Sequence, residues 1–237
     1  MDDRGTLPKH LQIGEMLVRE IASGRLADGA RLPSERQMAS ELNVAVGTLR
    51  RALDDLTERG LLERVQGSGN YVRQQGDARA VYSLFRLERP GGGGVPTALV
   101  LAADALARPD DLGTEPGCGQ VLRVRRLRYL DDIPAALEEV WVDLPGAAEL
   151  SEGDLSGSLY LSFQRELGVT IDRTEDRVHI GKIPDWGGPQ LGLPVGSACG
   201  YVTRTGWGQW DKGVRGIVEV SRTWFDGNRA HFVSRNK

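Results

Sequence analysis

The chain has 237 residues, of which 40% are hydrophobic and 27% are charged, and its formal net charge is −3. This length suits two domains that each bury a core of their own, and the composition is that of a soluble globular protein. A membrane-spanning helix needs a run of about 18 apolar residues, and the sequence contains no such run. The acidic, polar N-terminus does not resemble a signal peptide, so we expect a cytoplasmic protein without a membrane partner.

The residues that usually form metal or catalytic centres are few and scattered. Cys118 and Cys199 lie far apart and form no CxxC motif, so we expect no disulfide framework and a reducing compartment. The three histidines are isolated, and the sequence contains neither a nucleophile–base pair nor the spacing of a metal site. We therefore predict no metal, no cofactor and no catalytic residue.

The first part of the chain predicts three helices. Apolar residues recur at helical spacing over residues 8–23, and Gly24 follows them. Ser34 precedes a second periodic run and Gln37 follows it by three positions, so the two can form a reciprocal capping box. Residues 43–45 predict a tight turn between the second helix and a third.

The third helix and the residues after it predict the rest of a winged helix-turn-helix. An inward apolar stripe is expected at Leu49, Ala52, Leu53 and Leu56, with Gly60 ending the helix. Residues 62–65 and 71–73 predict two short strands, and residues 66–70 predict the turn that joins them. We therefore predict a winged-helix domain at residues 1–75, a linker at 76–80 and a second domain at 81–237.

The outward side of the third helix predicts contacts with double-stranded DNA. A helix in this position enters the major groove, where arginines bind phosphates or guanine and a glycine allows close approach of the backbone. The preceding helix crosses the phosphate backbone, and the tip of the wing is short enough to enter a minor groove. The predicted DNA-contacting residues are Arg36, Gly47, Thr48, Arg50, Arg51, Gln66, Gly67 and Ser68.

The charge of this head does not itself favour DNA. Residues 1–75 contain 11 basic and 11 acidic residues, so positive charge must be concentrated locally. One alternative is that Arg50 and Arg51 form a solvated face beside Asp54 and Asp55. Another is that the winged helix contacts a protein. The complete helix-turn-helix and wing pattern favours DNA.

The second domain predicts an α+β fold with a mostly antiparallel sheet. Two alternating segments flank Asp131 and Asp132 and predict one hairpin, and residues 200–208 and 213–226 predict another. Residues 155–167 have the pattern of a helix, and residues 169–183 alternate like a strand. Residues 99–107 are ambiguous between helix and strand.

Charged residues of the second domain predict a ligand site. Arg126 and Arg128 are two apart on a strand and therefore point to one face, where they could hold a phosphate or carboxylate. Glu138 and Glu219 could accept hydroxyl or amine protons. The alternative is that all four form cross-strand ion pairs on a solvated face. Four tryptophans suggest an aromatic pocket rim, or else core or interface: Trp186, Trp207, Trp210 and Trp224.

The N-terminal sequence resembles the GntR family of bacterial repressors. The similarity is carried by LPSER at residues 32–36, TLRRAL at 48–53, GLL at 60–62 and QGSG at 66–69. This resemblance implies DNA contacts at Arg36, Thr48, Arg50, Gln66 and Gly67. Ala45 and Val46 stand where the family usually carries Ser or Thr followed by Arg.

The second domain resembles the UTRA effector-binding domain of the HutC subfamily, which has the chorismate-lyase-like fold. Short motifs carry the similarity in order, among them VRRLR at 124–128, DIP at 132–134, LGLPVGS at 191–197 and VEVS at 218–221. The resemblance implies a homodimer that binds a small metabolite. The implied ligand positions are Arg126, Arg128, Glu138, Ser158 and Glu219.

These interpretations predict a bacterial transcriptional repressor. Its operator is expected to be palindromic, and a small effector, which the paired arginines suggest is anionic, is expected to control operator affinity. The alternative is a chorismate-lyase-like enzyme that carries a winged-helix head. The missing nucleophile–base pair and metal set count against that alternative.

Overall fold

The computed structural model describes residues 8–22, 24–73, 86–94, 96–107, 120–144, 155, 159–210, 213 and 215–234. The chain divides into two compact units between Pro96 and Thr97, and residues 232–234 belong to the first unit. The predicted linker at 76–80 lies outside the described residues. Residues 86–94, which the sequence analysis assigns to the second domain, group with the first unit.

The first unit contains the helices and hairpin that the sequence predicts. Asn43 adopts a left-handed conformation (φ 51°) in the turn between the second and third helices. Gly60 (φ 71°) ends the third helix in a conformation that glycine adopts at little cost. The elements are α1 (Lys9–Ala22), α2 (Glu35–Glu41), α3 (Val46–Glu58), β1 (Leu62–Val65) and β2 (Gly69–Val72).

Only one half of the predicted capping box forms. The side-chain oxygen of Ser34 accepts a hydrogen bond from the backbone N–H of Gln37 at 3.2 Å. The side chain of Gln37, however, donates to Oε1 of Glu41 at 2.9 Å, and among the described residues it has no bond to Ser34. A helical neighbour four positions away therefore competes successfully with the cap.

The core of the first unit is built around α3. Leu49, Leu53 and Leu56 are completely buried and pack against Ile13 and Leu17 of α1. These are the inward positions that the helical spacing predicts. Leu61, Leu62 and Val72 extend the same core to the base of the hairpin. The opposite side of α3 is thereby left exposed.

The wing is tighter than the sequence predicts. Strand β2 begins at Gly69 and not at Tyr71, and the pairs Val65–Gly69 and Arg64–Asn70 leave a tip of three residues. Gly67 (φ 75°) and Gly69 (φ 129°) both have backbone conformations that L side chains rarely adopt, so the turn closes earlier than the apolar pattern indicates. Arg73, predicted in the strand, follows its end.

The second unit is an α+β domain with a six-stranded, mostly antiparallel sheet. Outside this sheet, β3 (Leu87–Glu88) of the first unit pairs with β10 (His231–Phe232), whose Phe232 also belongs to the first unit, in a separate two-stranded sheet. No helix among the described residues is long and apolar enough to cross a membrane. The remaining elements are β4 (Pro96–Ala107), β5 (Gln120–Leu130), β6 (Ile133–Asp143), α4 (Leu159–Leu167), β7 (Thr170–Lys182), α5 (Gly188–Leu191), β8 (Ala198–Gln209) and β9 (Arg215–Phe225).

The strand order of this sheet is β4-β5-β6-β9-β8-β7. Four neighbouring pairs are consecutive strands of the chain, but β6 pairs with β9 across about 80 residues of chain. Asp131 (φ 50°) and Asp132 (φ 64°) form the two-residue turn of the β5–β6 hairpin, as predicted. The ambiguous residues 99–107 belong to strand β4.

The two faces of the sheet are covered by different helices. The α4 face carries Leu122, Val124, Val140 and Val142, and these pack against Phe163 and its neighbours on α4. The opposite side, which we call the α5 face, carries Leu127, Leu137 and Trp224, packed with Leu191 of α5. Because side chains alternate along a strand, adjacent residues of β5 belong to different faces.

The half-formed capping box makes a stability prediction. Ser34→Ala removes the only side-chain cap of α2, so we expect it to lower the free energy of unfolding by about 1 kcal/mol. Gln37→Ala removes only an exposed side-chain pair with Glu41, which is worth a few tenths of a kcal/mol. Chemical denaturation of both variants measures the difference. Equal losses would contradict the half-formed cap.

Candidate DNA interface and effector site

The predicted DNA-contacting residues lie on the outer side of the first unit. On α3, Gly47, Arg50 and Arg51 are exposed and Thr48 is half-buried, while Arg36 is exposed at the start of α2. At the wing tip Gln66 and Gly67 are exposed and Ser68 is half-buried. A Cβ built at Gly47 meets nothing within 4 Å, so the backbone there is open to a ligand.

A set of ion pairs connects the elements that carry these residues. Nε of Arg50 donates to Oε2 of Glu35 at 2.6 Å, which joins α3 to α2. Arg64 on β1 lies 2.9 Å from Asp54 on α3 and 3.5 Å from Glu35. The hydrogen bond and charge of Glu35 raise the pKa of Arg50 above its ordinary value. Glu35 was not among the predicted site residues, because it lies 15 residues before Arg50 in the chain.

The predicted effector residues of β5 and β6 form one buried ion-pair centre. Arg126 and Glu138 are directly opposed across the two strands, and Nε of Arg126 donates to Oε2 of Glu138 at 2.9 Å. Arg128 lies 3.8 Å from the same oxygen. Burial alone would raise the pKa of Glu138, but the charges of Arg126 and Arg128 outweigh it and lower that pKa.

Glu219 forms a second centre with three residues that the sequence analysis missed. The hydroxyl of Tyr160 on α4 donates to Oε2 of Glu219 at 3.3 Å. Arg204 donates to Tyr160 at 3.4 Å and binds Asp176 through two bonds, of 2.6 and 2.9 Å. Burial raises the pKa of Tyr160 above its ordinary value, and the negative charge of Glu219 adds to the effect.

Burial, the charge of Arg204 and hydrogen bonds from Ser221 and Tyr160 act in opposite directions on the ionisation of Glu219. Its side chain is almost completely buried, and its Oε1 atom accepts no hydrogen bond from the described residues. Burial raises the pKa of the Glu219 carboxyl to about 7, although the positive charge of Arg204 acts in the opposite direction. The carboxyl therefore binds a proton more readily than an ordinary glutamate does.

Gly206 makes room for Glu219. These residues are directly opposed across β8 and β9, and a Cβ at Gly206 would lie 2.7 Å from Oε2 of Glu219. Any side chain at position 206 must displace the carboxyl. A glycine inside a strand often marks a place where another group approaches the backbone closely, and here that group is Glu219.

The two centres lie on the α4 face and act electrostatically on one another. Arg204 lowers the pKa of Glu138, whereas Glu138 and Glu219 repel each other. We refer to them together as the polar cluster, which consists of Arg126, Arg128, Glu138, Tyr160, Asp176, Arg204 and Glu219. The alternative prediction of cross-strand ion pairs is confirmed for Arg126, Arg128 and Glu138. These pairs are buried, however, and do not lie on a solvated face.

The remaining site predictions have different outcomes. Ser158 lies outside the described residues, immediately before α4. Trp186 and Trp224 do not line the polar cluster, because they pack edge to face in the core of the α5 face, with ring centroids 5.8 Å apart. The guanidinium carbon of Arg173 lies 4.0 Å from the centroid of the Trp207 ring. Of the four tryptophans, only Trp210 packs against the core beneath α4. The described residues contain no group of three or more potential metal ligands.

Comparison with known proteins identifies both units. The family model "Bacterial regulatory proteins, gntR family" matches residues 9–72, and the model "UTRA domain" matches residues 92–231. The HTH-type transcriptional regulator SmoD from Agrobacterium fabrum is 47% identical over 231 residues, which cover 98% of this chain and 97% of SmoD.

Two further proteins support this result. The mannosyl-D-glycerate transport/metabolism system repressor MngR from Escherichia coli is 32% identical and covers 73% of this chain and 75% of MngR. The crystal structure of a "possible transcriptional regulator YydK" from Bacillus subtilis has the same fold, with a TM-score of 0.51 at 19% identity over 98% of this chain and 100% of YydK. The family models and the two named relatives favour a regulator over the enzyme alternative. The chain therefore belongs to the gntR family of bacterial regulatory proteins and is a DNA-binding transcriptional regulator with a UTRA ligand-binding domain.

Proposed function

We propose that the protein is a homodimeric bacterial repressor that acts in the cytoplasm and whose affinity for a palindromic operator is controlled by an anionic, hydroxyl-bearing metabolite. The observation that carries the proposal is the polar cluster. Its buried arginines and its unsatisfied Glu219 oxygen lie in the domain whose family binds ligands. The first unit makes the DNA contacts, and the polar cluster binds the metabolite that controls operator affinity.

The exposed side of α3 supports the DNA contacts. Arg50 and Arg51 point away from the leucine core, and Thr48 and Gly47 lie one turn earlier at the helix start. The N-terminal turns of a recognition helix are the part that contacts base edges. Arg36 and the wing residues Gln66, Gly67 and Ser68 are placed on flanking elements, where contacts to the backbone and minor groove are expected.

A dimer explains how so small a surface can be specific. One recognition helix contacts only a few base pairs, and two heads related by a two-fold axis double that number. The same symmetry requires the operator to be palindromic, with half-sites about one or more helical turns apart. The head has as many acidic as basic residues, so precise contacts are more important here than general attraction to DNA.

The charge of the polar cluster supports an anionic effector. Arg126 and Arg128 both lie beside the carboxylate of Glu138, and Arg204 binds Asp176. The cluster therefore brings three arginines together, and a phosphate, sulfate or carboxylate group is the kind of ligand that arginine binds strongly.

The acidic members of the cluster support hydroxyl groups on the same ligand. A buried carboxylate oxygen without a hydrogen bond is costly, and Oε1 of Glu219 would be satisfied by a hydroxyl donor. MngR is named for mannosyl-D-glycerate, which combines a carboxylate with several hydroxyls. A ligand of this class suits the charges and donors present here.

Effector binding controls operator affinity by changing the relative populations of two arrangements of the dimer. The ligand must bind one arrangement of the dimer better than another, since equal affinity for both would leave operator binding unchanged. The polar cluster contains residues of β5, β6, α4, β7, β8 and β9. A ligand that replaces their mutual ion pairs therefore acts on nearly the whole domain.

The first test concerns α3. Arg50→Ala removes a bidentate donor, so we expect specific operator affinity to fall by about 1–3 kcal/mol, or roughly 5- to 150-fold. The effector should still stabilise this variant against heat. Arg177→Ala, which removes the same charge from an exposed position on β7, is the matched control. Fluorescence anisotropy at fixed salt measures both, and unchanged operator affinity for Arg50→Ala would refute the placement of α3.

The second test concerns the polar cluster. In a thermal-shift screen of metabolites, an effector at about 100 times its Kd adds about 2.7 kcal/mol to the stability of the wild-type protein. We expect Arg126→Gln to abolish that gain. Arg125→Gln is the matched control, since Arg125 is the adjacent residue, is likewise paired with a glutamate, but lies on the α5 face. Equal stabilisation of both variants would place the ligand elsewhere.

The third test concerns pH. An acid whose pKa rises from 4.5 to about 7 on folding binds more protons when folded, so the free energy of unfolding falls as pH rises through this window. Glu219→Gln removes the titrating group and should remove a pH-dependent loss on the order of 3 kcal/mol. Urea unfolding from pH 5 to pH 8 measures the effect. The free energy of unfolding of Glu219→Gln should increase relative to that of the wild type as pH rises. A constant difference would show that Glu219 has an ordinary pKa.

A further inference from the structure

A compact ion-pair network lies among the three elements that carry the predicted DNA contacts. It consists of Glu35 on α2, Arg50 and Asp54 on α3, and Arg64 on β1. Glu35 is its centre, with one carboxylate oxygen 2.6 Å from Arg50 and the other 3.5 Å from Arg64. Arg64 also contacts Asp54 at 2.9 Å. A single carboxylate therefore touches arginines of both the recognition helix and the wing.

The bond to Glu35 determines how Arg50 is presented. It uses Nε, and the described residues provide no hydrogen-bond partner for the two terminal nitrogens. The Arg50 side chain is 61% exposed, whereas that of Glu35 is only 24% exposed. The guanidinium is thus held at its Nε atom, while its two terminal nitrogens are available for a further contact. A bidentate contact with guanine requires two correctly placed N–H groups, and a side chain already held in one orientation loses less entropy in making it.

The same network limits attraction to arbitrary DNA. Its two arginines are matched by two carboxylates, and the whole of residues 1–75 has 11 basic and 11 acidic residues. Binding to DNA of any sequence depends mainly on arginine and lysine contacts to phosphates. An arginine already paired with Glu35 gains little from a phosphate, because the nearby carboxylate offsets its charge and repels the phosphate. A guanine base carries no net charge, so its contact with the terminal nitrogens does not meet that repulsion.

We propose that Glu35 is a specificity-determining residue that positions Arg50 and Arg64 and withholds them from non-operator phosphates. This inference rests on the proposed placement of α3 and the wing on DNA. Glu35 itself need not touch a base. Its removal should weaken operator binding and strengthen non-specific binding at the same time, a combination that a purely structural role would not produce.

The test compares Glu35→Gln with Glu63→Gln in the full-length chain. Glu63 pairs with Arg73 at the base of the wing, at 2.7 Å from its Nε, so the control changes the net charge equally without touching the network. The probes are a duplex selected by the wild-type protein from random DNA and a scrambled duplex of the same length. Affinity for each is measured by anisotropy at several salt concentrations. Unfolding curves confirm that both variants are folded.

We expect Glu35→Gln to lower the ratio of operator to scrambled affinity by about tenfold, which lies within the discrimination of one bidentate contact. Its binding to the scrambled duplex should show a steeper salt dependence, by about one phosphate contact. Glu35→Asp should recover part of the ratio. Glu63→Gln should leave the ratio unchanged. If both glutamine variants give the wild-type ratio, Glu35 has no such role; if the wild type itself prefers no duplex, the proposed function fails first.

Discussion

Burying charge on a β-sheet is the constraint on which the second unit depends. Removing an ionised side chain from water costs several kcal/mol, and the cost is recovered only when each charge meets a well-placed opposite charge. In this sheet the requirement is met by direct strand register, since Arg126 faces Glu138 across β5 and β6. Arg204 and Asp176 meet in the same way across β8 and β7. Glu219 is the exception, and it faces a glycine.

The position of Glu219 is better explained by ligand binding than by the stability of the domain. A fully paired cluster would be a structural device, with no atom left for a ligand to satisfy. Here one oxygen of Glu219 is buried without a hydrogen bond from the described residues, so the free domain carries a cost that a suitable donor would remove. The space for the carboxyl exists only because residue 206 has no side chain. Ligand binding and the fold of β8 are therefore linked at one position.

The parts of this structure that depend on local chemistry were predictable from sequence. Ser34, Gly60 and the Asp131–Asp132 turn each act within a few residues, and the α3 stripe has an unambiguous period. Tyr160, Asp176 and Arg204 were not identified, because they come from α4, β7 and β8, and their approach to Glu138 requires β6 to pair with β9. No local pattern predicts that pairing. Glu35 was missed for a similar reason, since its partners are on α3 and β1.

The adjacency of Arg125 and Arg126 has a consequence for how this domain can evolve. The two side chains have the same chemistry and each pairs with a glutamate, but one stacks on Trp186 and the other belongs to the polar cluster. Inserting or deleting one residue in β5 would exchange their places and carry every apolar neighbour to the wrong face. We therefore expect homologues to vary the residues of β5 freely in size but to keep its length, and to accept insertions only in the flanking loops.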